Sequence, residues 1–339
     1  MEAHAYAHRL TTTRRYYLCN QCCDFCLATS DRRAPELSWG DLTLQAPWRH
    51  TLTMSDPNDP SPWTQVPRFE KKKRLLDLLH IVHLGTLRDL IPAAVVDSLE
   101  DGTLQHFFGL NGRPWDEVLH AFSRHAALWA KTQGMQLYIG TLSMARFGRP
   151  KHKHWPMCAL DTRIKAAKVR TLFAFTTFMM TRLAESPILD AQKKKHAQVR
   201  AVCCWSLDVA LSIFNLNPRV KMATQAVCET TWLCRLHSAC YQWLACECLV
   251  QRRLLYKIRP KTHYFLHMID HHELTKLCLM FLSTFGDEDY MGKIRKICQG
   301  CHGMNYMLSW ARKYILKRSL QWREMKKKPH VSQAAAACE

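Results

Sequence analysis

The chain has 339 residues, enough to bury a sizeable core in one large domain or two. A hydrophobic fraction of 47% excludes a disordered polymer, and only 12 Gly and 14 Pro favour helices over a turn-rich β architecture. With 48 Lys and Arg against 28 Asp and Glu, the net charge of +20 makes nucleic acid the first partner to consider and an anionic membrane surface the second.

Residues 1–35 are basic and Cys-rich, with no apolar run of signal-peptide type at 1–15, so a soluble intracellular protein is expected. Within them, Cys19-Asn-Gln-Cys22-Cys23-Asp-Phe-Cys26 holds two overlapping C-x-x-C pairs. One such pair is half of a zinc site, and the flanking Arg9, Arg14 and Arg15 suit a zinc-stabilised nucleic-acid contact. Cys22 and Cys23 are adjacent and fit one tetrahedron poorly. For the other half, His4, His8 and His50 are candidates without good spacing, so a metal and a set of buried thiols remain equal readings.

Residues 36–70 are irregular, and Ser55-Asp-Pro-Asn-Asp-Pro-Ser-Pro62 is a turn-and-loop run that marks a boundary. Helical periodicity begins at Leu75, with Leu78, Leu79, Val82 and Leu87 at i, i+3, i+4 spacing. A second helix is predicted from Pro114 through Trp129, and a third from Asp161, read as its N-cap. Residues 197–215 and 219–256 read as two more, broken at Pro218. Pro260 opens a short one, and 288–301 and 304–325 form the last pair. No stretch of about 20 apolar residues occurs, the best being 172–180 between Arg170 and Arg182. Cys203, Cys204, Cys228, Cys234, Cys240, Cys246 and Cys248 fall in these apolar patterns, where cysteine acts as a small buried hydrophobe.

Three motifs stand out. Asp77-Leu-Leu-His80 places an acid and an imidazole on one helix face, where the ordinary role is to bond a nearby backbone group. Lys257-Ile-Arg-Pro-Lys-Thr-His263-Tyr-Phe-Leu-His267 puts two histidines at i, i+4, a spacing that can bind a metal. With no acid or Cys placed beside them, a phosphate-facing helix start carrying Arg259 and Lys261 is the preferred reading. Phe285-Gly-Asp287-Glu288-Asp289-Tyr-Met-Gly-Lys293-Ile-Arg295-Lys296 gathers three acids at a helix start, which the helix dipole alone would favour. Cys298-Gln-Gly-Cys301-His302 matches a haem-attachment string too short to be specific, and a thiol pair is the better reading.

Taken together, Asp77–His80, the Lys257-to-His267 string and the Glu288 segment resemble the C-terminal half of a CACTA-type (En/Spm-like) DDE transposase. The resemblance runs by scattered motifs over about residues 19–320. It implies a mainly α chain: a basic Cys-containing segment and linker (1–70), a helical insertion domain (71–256), C-terminal helices of an incomplete RNase H-like domain (257–325) and a tail (326–339). It assigns Glu288 as third catalytic carboxylate, with Asp287 and Asp289 as alternates, and Asp77 and His80 as the insertion-domain motif. It makes Arg259, Lys261, Lys293, Arg295 and Lys296 the DNA contacts, and Cys19, Cys22, Cys23 and Cys26 the metal candidates. Two-metal strand cleavage needs three carboxylates. The first two belong on strands before the Cys segment, where only one acid, Glu2, is present. A chain inactive alone is therefore expected, with Mg²⁺ relevant only if a partner chain or a second copy completes the site. The other reading is a non-catalytic, basic nucleic-acid-binding protein with zinc at the Cys segment. Both place the protein in the nucleus with DNA as partner and no membrane.

Overall fold

The computed structural model describes Cys23, residues 25–31, 33–51, 75–148 and 158–284, and residues 315, 316 and 319. Two compact units divide the chain, Met1–Ser283 and Thr284–Glu339. The first is mainly helical. Among the described residues there is no β-strand, only isolated bridges between Thr29 and Ser38 and between Lys221 and Leu277. A mainly α chain is thus found, and nothing described carries an RNase H-like sheet.

Helix α1 (Leu79–Glu100) opens as a π-helix over Leu79–Thr86 and continues as an α-helix over Leu87–Glu100. Pro92 inside it cannot donate to the carbonyl of Arg88, and that oxygen instead accepts the Leu160 N–H at 2.8 Å. After Gly102, at φ +81°, comes the short α2 (Thr103–Phe107). Helix α3 (Trp115–Thr132) follows Pro114 as expected, with Asp116 and Glu117 in its first turn and Lys131 in its last, each on the side the dipole favours. Val118, Leu119, Phe122, Ala126 and Ala130 form its buried stripe. Helix α4 (Ala166–Leu183) begins later than the sequence suggested. Asp161 does not cap it: the carboxylate is held by Arg146 at 3.3 Å and Arg163 at 2.8 Å.

Helix α5 (Ala191–Leu216) is capped by Asp190, whose side chain accepts the Lys193 N–H at 2.8 Å. Pro218 lies in the break before α6 (Thr224–Val250), and α7 (Pro260–Thr275) starts on its proline. α5 packs against α4 and α6, and α7 against α6 and the π segment of α1. α1 and α5 are each long and apolar enough to cross a membrane. In α1, however, 83% of the apolar window is buried by protein, which is the environment of a core helix; in α5 it is 50%. Four of the helical cysteines, Cys203, Cys204, Cys234 and Cys248, are buried as expected, whereas Cys240 is half-buried and Cys228 and Cys246 are exposed. The helices expected at 288–301 and 304–325 lie outside the described residues, apart from 315, 316 and 319.

Ahead of α1, residues 25–31 and 33–51 form a strap with no helix beyond two 3₁₀ turns, Pro35–Leu37 and Pro47–Thr51. Several of its hydrogen bonds are internal. Leu27 N donates to Thr51 Oγ1 at 2.9 Å, Thr29 N to Leu37 O at 2.9 Å, and Trp48 Nε1 to Asp41 O at 2.9 Å. Trp48, wholly buried, is its main apolar anchor.

Candidate metal centre

α7 presents His263 and His267 one turn apart on the face that meets the strap. Cys23 Sγ lies 3.2 Å from His267 Nε2, Cys26 Sγ lies 3.3 Å from His263 Nε2, and the two Nε2 atoms are 2.9 Å apart. All four donor atoms lie within 4.8 Å of one another, and all four residues are buried. For an ion with metal–sulfur bonds of about 2.3 Å and metal–nitrogen bonds of about 2.0–2.1 Å, the edges of a tetrahedron are roughly 3.3–3.8 Å. These three separations are slightly shorter and the others lie within 4.8 Å, so a small rearrangement of the side chains admits the ion. The group can hold a metal.

Local structure prepares both sulfurs. The Phe25 N–H points at Cys23 Sγ at 3.3 Å and the Ala28 N–H at Cys26 Sγ at 3.4 Å, each favouring the thiolate. Aromatic rings wall the site. Trp48 meets His263 and His267 edge-on at 4.3 and 5.2 Å, and Phe25 lies 5.4 Å from His267. Burial dominates the proton chemistry. It pushes the Cys23 thiol well above its ordinary range, with the Cys26 hydrogen bond adding and His267 opposing, and it pulls His263 well below the usual imidazole value, with His267 and Arg49 adding. Metal binding at Cys23 therefore displaces a thiol proton. His263 Nδ1 is buried with no hydrogen-bond partner among the described residues, so no carboxylate raises the basicity of that ring. Four protein donors in a closed, aromatic-walled site suit a structural ion rather than a reactive one.

A second cluster with ligand-type side chains, Asp97, His196 and Cys248, has a different character. Asp97 already accepts from His196 at 2.8 Å and Tyr256 at 2.8 Å, and it pairs with Arg253 and with the wholly buried Arg200 at 3.2 Å. Although burial opposes it, the surrounding cations hold this carboxyl far below its usual range. Two guanidiniums already neutralise it, so a metal cation there would face direct repulsion. The cluster is a structural hub tying α1 and α5 to the chain after α6.

Of the proposed metal ligands, Cys23 and Cys26 come together, while Cys19 and Cys22 lie outside the described residues. The expectation that His263 and His267 have no Cys companion is overturned: their companions stand 237 and 244 positions away in sequence. His50 is exposed and does not supply the other half. Asp77 and His80 bond each other, and Asp77 Oδ1 accepts the Leu79 N–H at 3.0 Å, so the pair closes the start of α1. Lys261 turns inward, donating to His80 O at 2.9 Å and Leu84 O at 3.3 Å, two carbonyls of the π segment. Its stem passes so close to Gly85 that a Cβ there would lie 2.8 Å from Lys261 Cδ. Arg259, partly exposed, reaches Asp89 at 3.3 Å beside Lys257 at 3.0 Å. Glu288, Asp287, Asp289, Lys293, Arg295 and Lys296 lie outside the described residues, as does the Cys298–Cys301 pair. Comparison with protein-family models, curated proteins and solved structures gives no match to this chain.

Proposed function

We propose that this chain is a nuclear, zinc-braced nucleic-acid-binding protein derived from a CACTA-type DDE transposase. The observation that carries the metal half is the Cys23–Cys26–His263–His267 group, whose two thiols and two imidazole nitrogens are the donor set of structural zinc. The net charge of +20 supports the nucleic-acid half. The transposase descent rests on the motif resemblance, and Glu288 is the one acid it assigns to catalysis. One carboxylate does not position two metals on a phosphodiester.

The test combines metal analysis with binding. Purified protein carries one zinc per chain, lost on substitution of Cys26 and His263. Duplex DNA binds with little sequence preference, and affinity falls about 10³–10⁵-fold between roughly 50 and 200 mM salt if six to ten phosphates are contacted. Joint substitution of Lys293, Arg295 and Lys296 by Ala flattens that salt slope. An unchanged slope moves the binding face to Lys193, Lys194 and Lys195, exposed on the first turn of α5. Salt-insensitive or absent binding removes the nucleic-acid reading, and a metal-free protein that takes up no zinc removes the brace.

A further inference from the structure

We propose that the outer face of the α5–α6 helix pair is a self-association surface, on which a second copy of this chain packs antiparallel about a two-fold axis beside Trp205. The first observation is a spacing. Along α5, Gln198, Val202, Trp205, Val209, Ser212 and Leu216 follow one another at alternate steps of four and three residues. Along α6, Glu229, Trp232, Leu236, Ala239 and Trp243 do the same. Such a repeat is the seam that a partner helix fills with its own side chains. Outward positions on a surface helix are ordinarily polar. Here most are apolar, and every one of these residues is exposed or half-buried. Trp205 is 43% exposed, Trp232 58% and Leu216 79%. The two seams adjoin. Cys203 Sγ lies 3.5 Å from His237 Nδ1, and Lys195 Nζ stands 5.7 Å over the Trp243 ring, so the helices run antiparallel with their seams side by side.

Three features select a second copy as the occupant. The first is size: helices of 26 and 27 residues offer a face about 40 Å long and about 20 Å wide, on the order of the 800 Å² that each partner of a stable complex buries. The second is self-complementarity, which a two-fold interface requires. With the axis beside Trp205, that indole meets the partner's Trp205, Val202 meets the partner's Val209, and polar Gln198 meets the partner's polar Ser212. The Cys203–His237 contact puts Leu236 at nearly the same level on α6. The same axis therefore sets Leu236 against the partner's Leu236 and large Trp232 against the partner's small Ala239, the alternation that lets facing layers interdigitate. The third is charge. Glu229 is the one acid on either seam, and this register brings it beside the partner's Trp243, over which the partner's Lys195 stands. Carboxylate and ammonium thus meet at both ends of the face.

Sedimentation equilibrium of the full chain without nucleic acid, at about 150 mM salt so that the net charges are screened, tests this. The expected species is a dimer. Trp205→Glu/Trp232→Glu should weaken it about a hundred-fold or more, since each residue counts twice in a two-fold interface, while far-ultraviolet circular dichroism stays at the wild-type value. Two exposed-residue variants guard against misfolding. Lys195→Glu and Glu229→Lys should each weaken the dimer several-fold, and their combination should restore it. A photo-reactive benzoylphenylalanine at position 205 should cross-link to the partner's residues 202–209. A monomer at about 100 µM, the weak end for a specific interface, overturns the proposal. So does a dimer untouched by the double Trp substitution, a charge swap that fails to restore association, or a cross-link that lands elsewhere. No metal ligand lies on this face, so these outcomes leave the zinc and nucleic-acid readings where their own tests put them.

Discussion

Stripping the metal should lower the global stability of the first unit by an amount set by the length of chain it closes. Cys26 and His263 lie 237 positions apart, so the ion cross-links nearly the whole unit. In the loop-closure account, cross-linking a loop of that length removes about 18 cal/mol/K of entropy from the unfolded chain, or about 5.5 kcal/mol at 25 °C. That is the ceiling, because unfolded chains retain Cys and His that bind zinc weakly and reduce the differential. For a domain of this size each kcal/mol moves the melting temperature by roughly 2 °C, so a drop of several degrees, up to about 10 °C, is expected on chelation. The assay is calorimetry of zinc-loaded and stripped protein at matched ionic strength. Cys26→Ser should start near the stripped value and respond little to chelator. An unchanged melting temperature after zinc has left would refute the closure reasoning, because a cross-link spanning the unit cannot be removed without freeing its unfolded state.

Four further outcomes follow from named contacts. Gly85→Ala should destabilise by about 1–3 kcal/mol, since the new methyl meets Lys261 Cδ at 2.8 Å and His80 O at 3.0 Å, and the loss should shrink in a Lys261→Ala background when read by denaturant midpoint. Arg200→Met should cost about 3–5 kcal/mol by leaving buried Asp97 short of a counter-charge, again by denaturant titration. The Asp97 carboxyl is depressed in the fold, so its contribution is complete above the ordinary carboxyl value of about 3.9 and is lost as pH falls below it; acid unfolding should be steeper in the wild type than in Asp97→Asn. Burial lowers the Lys261 ammonium to about 8, so between there and the unfolded value of about 10.4 the unfolded chain binds more protons. Stability of the wild type relative to Lys261→Met should therefore rise across that interval, and a flat difference would place this amine in water.

The elements that could be read in the sequence are those whose physics is local. α3 follows Pro114 and α7 begins at Pro260, because proline fixes a helix start and apolar spacing fixes the face. α4 was misplaced at its start because Asp161 looks like a cap, and its use as an anchor for Arg146 and Arg163 depends on a residue fifteen positions back. The π turn of α1 gives no periodic signature. Its cause lies in part with Lys261, which satisfies two of its carbonyls from another helix. The metal group shows the same limit at larger scale. Each half was visible as a spacing, C-x-x-C in one place and i, i+4 histidines in another. A spacing carries no information about a partner 237 or 244 residues away, so the Cys pair is offered only His4, His8 and His50, and the histidine pair reads instead as a phosphate-facing helix start.

What the fold adds to the two half-motifs is a reason for their separation. A zinc site built from adjacent residues stabilises a small local loop, because the entropy it removes from the unfolded chain grows with the logarithm of the loop it closes. Here the ligands bracket α1 to α6, with Cys23 and Cys26 at the strap end and His263 and His267 on α7. The hub at Asp97 already secures α1, α5 and the chain after α6 by charge, so the body has its own support. The strap is tied to the body by the Leu42–Gln242 hydrogen bond, by the Arg49–Asp270 pair and by burial of Ala28, Leu42, Ala46 and Trp48 in the common core. A metal placed there joins the strap to α7 directly and, by closing so long a loop, also stabilises the helices that lie between its ligands. Such a brace therefore acts on the whole unit through its unfolded state, where a site built from neighbouring residues would constrain only a short loop.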